Sequence, residues 1–153
     1  MTRDFKTALG KIKVGLQVND SPEKKLRSVC RTMADNLPGY DWVGFYLVDK
    51  TDHHLLRLGP YVGEPTDHVA IPFGRGICGR AAATREAVIV DDIGQENNYL
   101  ACSLKVKSEI VVPLFRGTQL VGELDIDSHL PAAFNHQDET FLKEVGRLVE
   151  TLL

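Results

Sequence analysis

Ser108-Glu-Ile-Val-Val-Pro-Leu-Phe115, then Arg116-Gly-Thr-Gln119, then Leu120-Val-Gly-Glu-Leu-Asp-Ile-Asp127 is the stretch whose reading decides the fold. Two runs of apolar and β-branched residues flank a short segment with a glycine, which is the pattern of a β-hairpin. In the second run the even positions Leu120, Gly122, Leu124 and Ile126 are apolar or small. The odd positions are Val121, Glu123, Asp125 and Asp127. Side chains alternate across a strand, so these three carboxylates share one face. Glu109, opening the neighbouring run, is placed to join them. A solvated sheet face is the plain reading. Carboxylates this close repel, however, unless something positive lies among them or one keeps its proton. An amino-acid ammonium, a metal ion and a proton donor all fit.

On the C-terminal side, Asn135 reads as a helix cap with Asp138 at the third helical position. Phe141, Val145, Leu148, Val149 and Leu152 then give a buried stripe. On the N-terminal side, Phe5, Leu9, Ile12 and Leu16 recur at helical spacing. Ser21 as cap, Pro22 at the first position and Glu23 near the positive end of the dipole start a second helix. It carries Leu26, Val29, Cys30, Met33 and Leu37 on one stripe and stops at Pro38-Gly39. Between these helices and the hairpin, strands are predicted over 41–48, 55–58, 69–71 and 87–90. A short helix is predicted over 80–85 and a polar loop over 91–101. The expected fold is α+β, with a central, mainly antiparallel sheet. The two N-terminal helices and the C-terminal helix cover one face, and the other is left for ligand loops.

The chain has 153 residues, and one domain over 1–153 is expected. Lys and Arg number 18 against 21 Asp and Glu, a net charge of −3, so no basic excess is present to cover phosphates and nucleic-acid binding is not expected. Apolar runs such as 110–115 fall far short of the roughly 20 residues that span a membrane. The start, Met1-Thr-Arg-Asp-Phe-Lys6, lacks the apolar stretch of a secretory signal. A soluble, cytoplasmic protein is the expectation. Its three cysteines, Cys30, Cys78 and Cys102, form no C-x-x-C pair, and the five histidines show no paired spacing, so no metal is predicted. An odd cysteine count also argues against a disulfide framework.

Gly74-Arg-Gly-Ile-Cys-Gly79 matches G-x-G-x-x-G, with Asp91 and Asp92 near the expected downstream distance. The short preceding segment contains Pro72, and the helix that follows has room for no more than about ten residues. A dinucleotide fold needs a long crossover helix there. The segment is read instead as a tight turn into a helix, which puts Cys78 at a helix N-terminus where the dipole favours a thiolate. Cys30, on an apolar stripe, reads as a buried structural thiol. Cys102 sits in the polar loop beside Ser103, near Lys105 and Lys107, and those facts alone fit a bystander or a nucleophile. Trp42, Gly44 and Tyr46 share a strand face opposite Val43, Phe45 and Leu47, as a pocket wall or as ordinary core.

Trp42-Val-Gly-Phe-Tyr46, Ile71-Pro-Phe-Gly-Arg-Gly-Ile-Cys-Gly79, Tyr99-Leu-Ala-Cys102, Ser108-Glu-Ile-Val-Val-Pro-Leu114 and Gly122-Glu-Leu-Asp-Ile-Asp-Ser128 occur in order along nearly the whole chain. Together they resemble the stand-alone GAF domains of the free methionine-(R)-sulfoxide reductase type. By that resemblance Cys102 matches the principal reactive cysteine and Cys78 a second, disulfide-forming one. Glu109, Asp125 and Asp127 match the carboxylates that hold the substrate, and Trp42 and Tyr46 the aromatic wall around its methyl-sulfinyl end. The implied activity is thiol-dependent reduction of free methionine-(R)-sulfoxide through a cysteine sulfenic acid and a disulfide. It needs no cofactor, and a thioredoxin-like partner is the external reductant. One position departs from the pattern: His68 stands where the family usually has a third cysteine, three residues before Ile71-Pro72. The resolving role then falls to Cys78 or to an external thiol. The rival from another class is a non-catalytic GAF module that binds a small ligand or reports redox state. His68 favours that rival, whereas Cys78, Cys102 and the carboxylates favour the enzyme. Apolar residues exposed on the first two helices point to a homodimer.

Overall fold

A computed structural model describes residues 2–96 and 105–153. Helices α1 (Phe5–Leu16) and α2 (Pro22–Asn36) precede strands β1 (Trp42–Val48), β2 (Leu55–Val62) and β3 (Ala70–Pro72). Helix α3 (Gly76–Thr84), β4 (Val88–Val90), β5 (Ser108–Arg116), β6 (Gln119–Ser128) and α4 (His136–Val149) follow. The six strands form one sheet in the order β3-β2-β1-β6-β5-β4, and every neighbouring pair is antiparallel.

Local chemistry sets the boundaries. The Ser21 hydroxyl accepts from the Lys24 amide at 3.3 Å, with Pro22 as the first residue of α2. Asn135 and Asp138 form a reciprocal capping box on α4. The Asp138 carboxylate also accepts from the Tyr40 hydroxyl at 2.8 Å and pairs with Arg3 at 3.1 Å, so it ties both ends of the chain to the entry of β1. At the hairpin, Arg116 pairs with Gln119 around Gly117 and Thr118. The φ of +62° at Gly117 is one that a residue without Cβ adopts freely.

The predicted even face of β6 holds only from Gly122 on, where Leu124 and Ile126 face α1, α2 and α4. Before it the pairing slips between Leu114–Gly122 and Phe115–Leu120, so Leu120 packs with Ile77 and Val111, and Val121 takes its place against the helix-covered core. Leu124 and Ile126 pack there with Val43, Phe45, Ile110 and Val112 against Ile12, Leu26, Met33, Leu142 and Val145. Each such side chain taken fully out of water contributes about 1.5–3 kcal/mol. Cys30 belongs to this core and is fully buried, as its stripe predicts. Among the described residues no helix is long and apolar enough to cross a membrane.

Three departures from the predicted elements exceed a single residue. Strand β2 continues four residues past 58. The pairing jumps from Tyr46–Leu58 to Gly44–Tyr61, so Gly59 and Pro60 together oppose Phe45 in a bulge. A bulge accommodates a proline, which has no ladder N–H to give. Helix α3 begins at Gly76, four residues before the predicted 80, so the last four of the six residues of the glycine-rich segment are its first turn. It lies on the face away from the other helices, with Ile77, Ala81 and Ala82 packed near Trp42, Tyr46 and Val111. Finally, a 3₁₀ turn over Ile93–Gln95 occupies part of the predicted 91–101 loop.

Candidate active site

The β5–β6 pairing puts Asp127 opposite Glu109, Asp125 opposite Val111 and Glu123 opposite Pro113. On the other side of β6, β1 sets Trp42 against Asp127, Gly44 against Asp125 and Tyr46 against Glu123. Every carboxylate of the odd face therefore lies among aromatic and apolar neighbours beneath α3. The solvated reading is overturned: Glu109 is 3% exposed, Asp125 1%, and Glu123 and Asp127 0%. A sulfur atom of Cys78 and one oxygen each of Glu109 and Asp125 all lie within 4.8 Å of one another. Both oxygens of Glu123 and Oδ1 of Asp125 are buried with no hydrogen-bond partner among the described residues.

This environment fixes the proton inventory. Burial, and then the Asp125 charge, push the Glu123 carboxyl well above the usual range, while contact with Cys78 pulls the other way. Burial raises Asp125 too, against hydrogen bonding with Glu109 and Cys78. The pair therefore retains a proton at pH values where an exposed aspartate has lost its own. Cys78 corrects a prediction. It is the third residue of α3, but its thiol is pushed well above the ordinary value by burial, and then by Asp125, Glu123, Glu109 and Asp127. Desolvation and four surrounding carboxyl groups outweigh the helix dipole, which acts only over the first turn. At Cys30 burial likewise raises the thiol, with its sulfur 3.6 Å from the Pro60 carbonyl.

Trp42, Gly44 and Tyr46 share one face of β1, as the alternation predicts, and the two aromatic side chains are buried there. The Trp42 indole folds across Gly44, where a Cβ would meet it at 2.4 Å, so only glycine fits beneath the ring. Trp42 stacks on Tyr61 with centroids 5.2 Å apart and on Tyr46 at 6.4 Å. Its Nε1–H donates to the Glu64 carbonyl at 3.0 Å, and the Tyr46 hydroxyl donates to the His68 carbonyl at 2.9 Å. Tyr61 belongs to the part of β2 that the sequence reading stopped short of.

Between wall and roof lies a cavity of about 10 Å³, bordered by Tyr46, His68, Arg75, Cys78, Glu109 and Asp125. That is room for about one water. Four of the predicted site residues thus meet there: Cys78, Glu109, Asp125 and Tyr46. Asp127 joins through its pairing with Glu109, and Trp42 through its stacking on Tyr46. Cys102 lies outside the described residues. The sequence assigns no site role to Glu123 or to Arg75, which borders the cavity. The alternation did place Glu123 on the acidic face, while nothing in the sequence marks Arg75.

The GAF-domain family profile matches residues 19–153. The free methionine-R-sulfoxide reductase of Saccharomyces cerevisiae is 37% identical over 110 residues. That match covers 71% of this chain and 61% of the yeast protein, so the chain spans about three-fifths of that relative. The structure of the type II free methionine-R-sulfoxide reductase of Thermoplasma acidophilum is 38% identical, with a TM-score of 0.81 over 86% of this chain and 91% of that one. The enzyme of Neisseria meningitidis, solved with its substrate, is 34% identical with a TM-score of 0.88, covering 99% of this chain and 92% of that one. A GAF profile over almost the whole chain and relatives of this identity and coverage carry one conclusion: this chain belongs to the GAF-domain family and, within it, to the free methionine-R-sulfoxide reductases.

Proposed function

We propose that the chain reduces free methionine-R-sulfoxide to methionine, with Cys102 as nucleophile and Cys78 as the thiol that closes a disulfide. The observation that carries this reading is the buried carboxyl cluster, in which Asp125 holds a raised pKa between Glu109 and Cys78. A sulfoxide oxygen is a poor leaving group until it is protonated, and a carboxyl whose pKa burial has raised is suited to supply that proton. Glu109 and Asp127 supply negative charge for the substrate ammonium, and the Trp42–Tyr46 wall supplies apolar surface for its methyl end.

The Cys102 thiolate attacks sulfur, oxygen passes to it as sulfenic acid, and methionine leaves. The Cys78 sulfur then attacks the Cys102 sulfur. The S–S bond forms and the hydroxyl departs as water with the proton from Cys78. A thioredoxin-like dithiol reopens the bond. No cofactor enters this cycle. A cytoplasmic location, where such a dithiol is supplied, and homodimerisation belong to the same reading, the latter supported by Val14 on α1, which is 67% exposed.

The rival is a non-catalytic ligand-binding or redox-reporting module. It draws support from His68 at the position of the usual cysteine and from a cavity far smaller than methionine sulfoxide. One assay separates the two: purified protein, dithiothreitol, and the R and S epimers of free methionine sulfoxide side by side. The expected result is consumption of the R epimer alone, abolished by Cys102→Ser and lowered about 100-fold or more by Asp125→Asn. Absence of turnover by folded protein, or full activity in Cys102→Ser, overturns the reading.

A further inference from the structure

We propose that Cys78, Glu109 and Asp125 form a binding site for a single zinc ion. The three side chains come from α3, β5 and β6, and their ligand atoms lie within 4.8 Å of one another at the edge of the small cavity. A thiolate and two carboxylate oxygens are ligands that zinc accepts, at about 2.3 Å for sulfur and about 2.0–2.2 Å for oxygen. Ligand atoms around such an ion sit about 3.5 Å apart, so closing on it requires side-chain movements of an ångström or less. Three protein ligands leave the fourth position open to water, and the cavity provides a space of that size.

A second observation points the same way. Asp125 borders this space, and its Oδ1 is buried with no hydrogen-bond partner among the described residues. A buried acceptor without a donor is costly, and a cation is one of the few groups that satisfies it. Beneath it Glu123 adds a further buried carboxyl within reach of Cys78. Binding displaces the Cys78 proton and the proton held by the carboxyl pair into solvent, so affinity rises with pH. The sequence hides this site because its ligands lie 31 and 16 residues apart (78 to 109, then 109 to 125) and match no zinc motif. If the proposed reductase reading holds, zinc also inhibits the enzyme by withdrawing Cys78 and the substrate-holding carboxylates together.

The test titrates reduced protein with zinc by calorimetry in chelator-free buffer. Cobalt(II) serves as a second probe, because a thiolate-to-cobalt band in the near ultraviolet reports the cysteine ligand. One equivalent of zinc is expected, with affinity lowered about tenfold or more in Cys78→Ser, Asp125→Asn and Glu109→Gln. The cobalt band vanishes in Cys78→Ser and survives in Cys30→Ser and Cys102→Ser. Circular dichroism confirms the fold of each variant, and the three ligand variants stand in for one another if one misfolds. No stoichiometric zinc uptake, a band that survives Cys78→Ser, or a band lost in Cys102→Ser overturns the assignment. These readouts do not depend on turnover, so they stand or fall apart from the reductase reading.

Discussion

Leu124 and Asp125 are neighbours on β6 and equally hidden from water, at 0% and 1% exposure, yet they enter opposite environments. Leu124 points into a core made wholly of apolar side chains from α1, α2, α4 and the sheet. Asp125 points to the face where Glu109, Glu123 and Asp127 are also buried, between an aromatic wall and the short roof of α3. One face buries groups that water rejects. The other buries groups that water would solvate, and leaves both oxygens of Glu123 and Oδ1 of Asp125 without a hydrogen-bond partner among the described residues. The first supplies stability that the second draws on, the usual arrangement where a site is strained by its own chemistry.

Truncation on the helix-covered face carries the largest effect. Leu124→Ala leaves a void in a close-packed layer and is expected to lose about 2–5 kcal/mol, read as a lower urea midpoint at unchanged slope. Asp125→Asn, one residue along, is expected to keep or raise stability while turnover collapses. Equal losses of stability in the two variants would show that the faces do not differ in this way.

Gly44→Ala tests the wall that separates the acidic face from β2. Its Cβ would stand 2.4 Å from the Trp42 ring and 2.8 Å from the Tyr61 Cβ, so the indole must swing away. Overpacking of this kind costs about 1–3 kcal/mol. Trp42 is the chain's single tryptophan, so a shift in its emission reports the displacement directly. Unchanged emission and stability would mean that the stack is not held by the glycine.

The two faces were unequally legible. Periodicity exposed the helix-covered face almost completely, because apolar residues at spacings of two and of three to four have one cheap place to go. The same alternation grouped Glu123, Asp125 and Asp127, but it carries no information about whether that side meets water. Burial there is imposed by α3, whose start was hidden inside a glycine run that reads as a turn. Tyr61 was lost for a similar reason: Gly59 and Pro60 look like punctuation, and only the pairing shows them absorbed in a bulge. Cys78 failed in electrostatics rather than in position. A helix dipole is local and can be read from its neighbours in sequence. The carboxyl groups that overrule it come from β5 and β6, at least 31 residues away (78 to 109).

Glu123 offers the subtlest comparison, because it belongs to the acidic face without bordering the cavity. Its two oxygens have no hydrogen-bond partner among the described residues, so their desolvation goes uncompensated. Methionine has similar length, bends to fit irregular space and carries no such demand. Glu123→Met is therefore expected to be more stable than the natural chain by about 1–3 kcal/mol near neutral pH. The pH dependence follows from linkage. Folding raises the Glu123 pKa above its ordinary value of 4.5, so above that pH the folded chain holds a proton that the unfolded chain has released. Stability from this group is intact below the ordinary value and is lost as pH climbs toward the raised one. The advantage of Glu123→Met should accordingly widen from about pH 5 to about pH 8, as urea unfolding at both values would show. A variant less stable at both would mean that the carboxyl earns its burial through a partner, and the acidic face would then be held together by its charges rather than in spite of them.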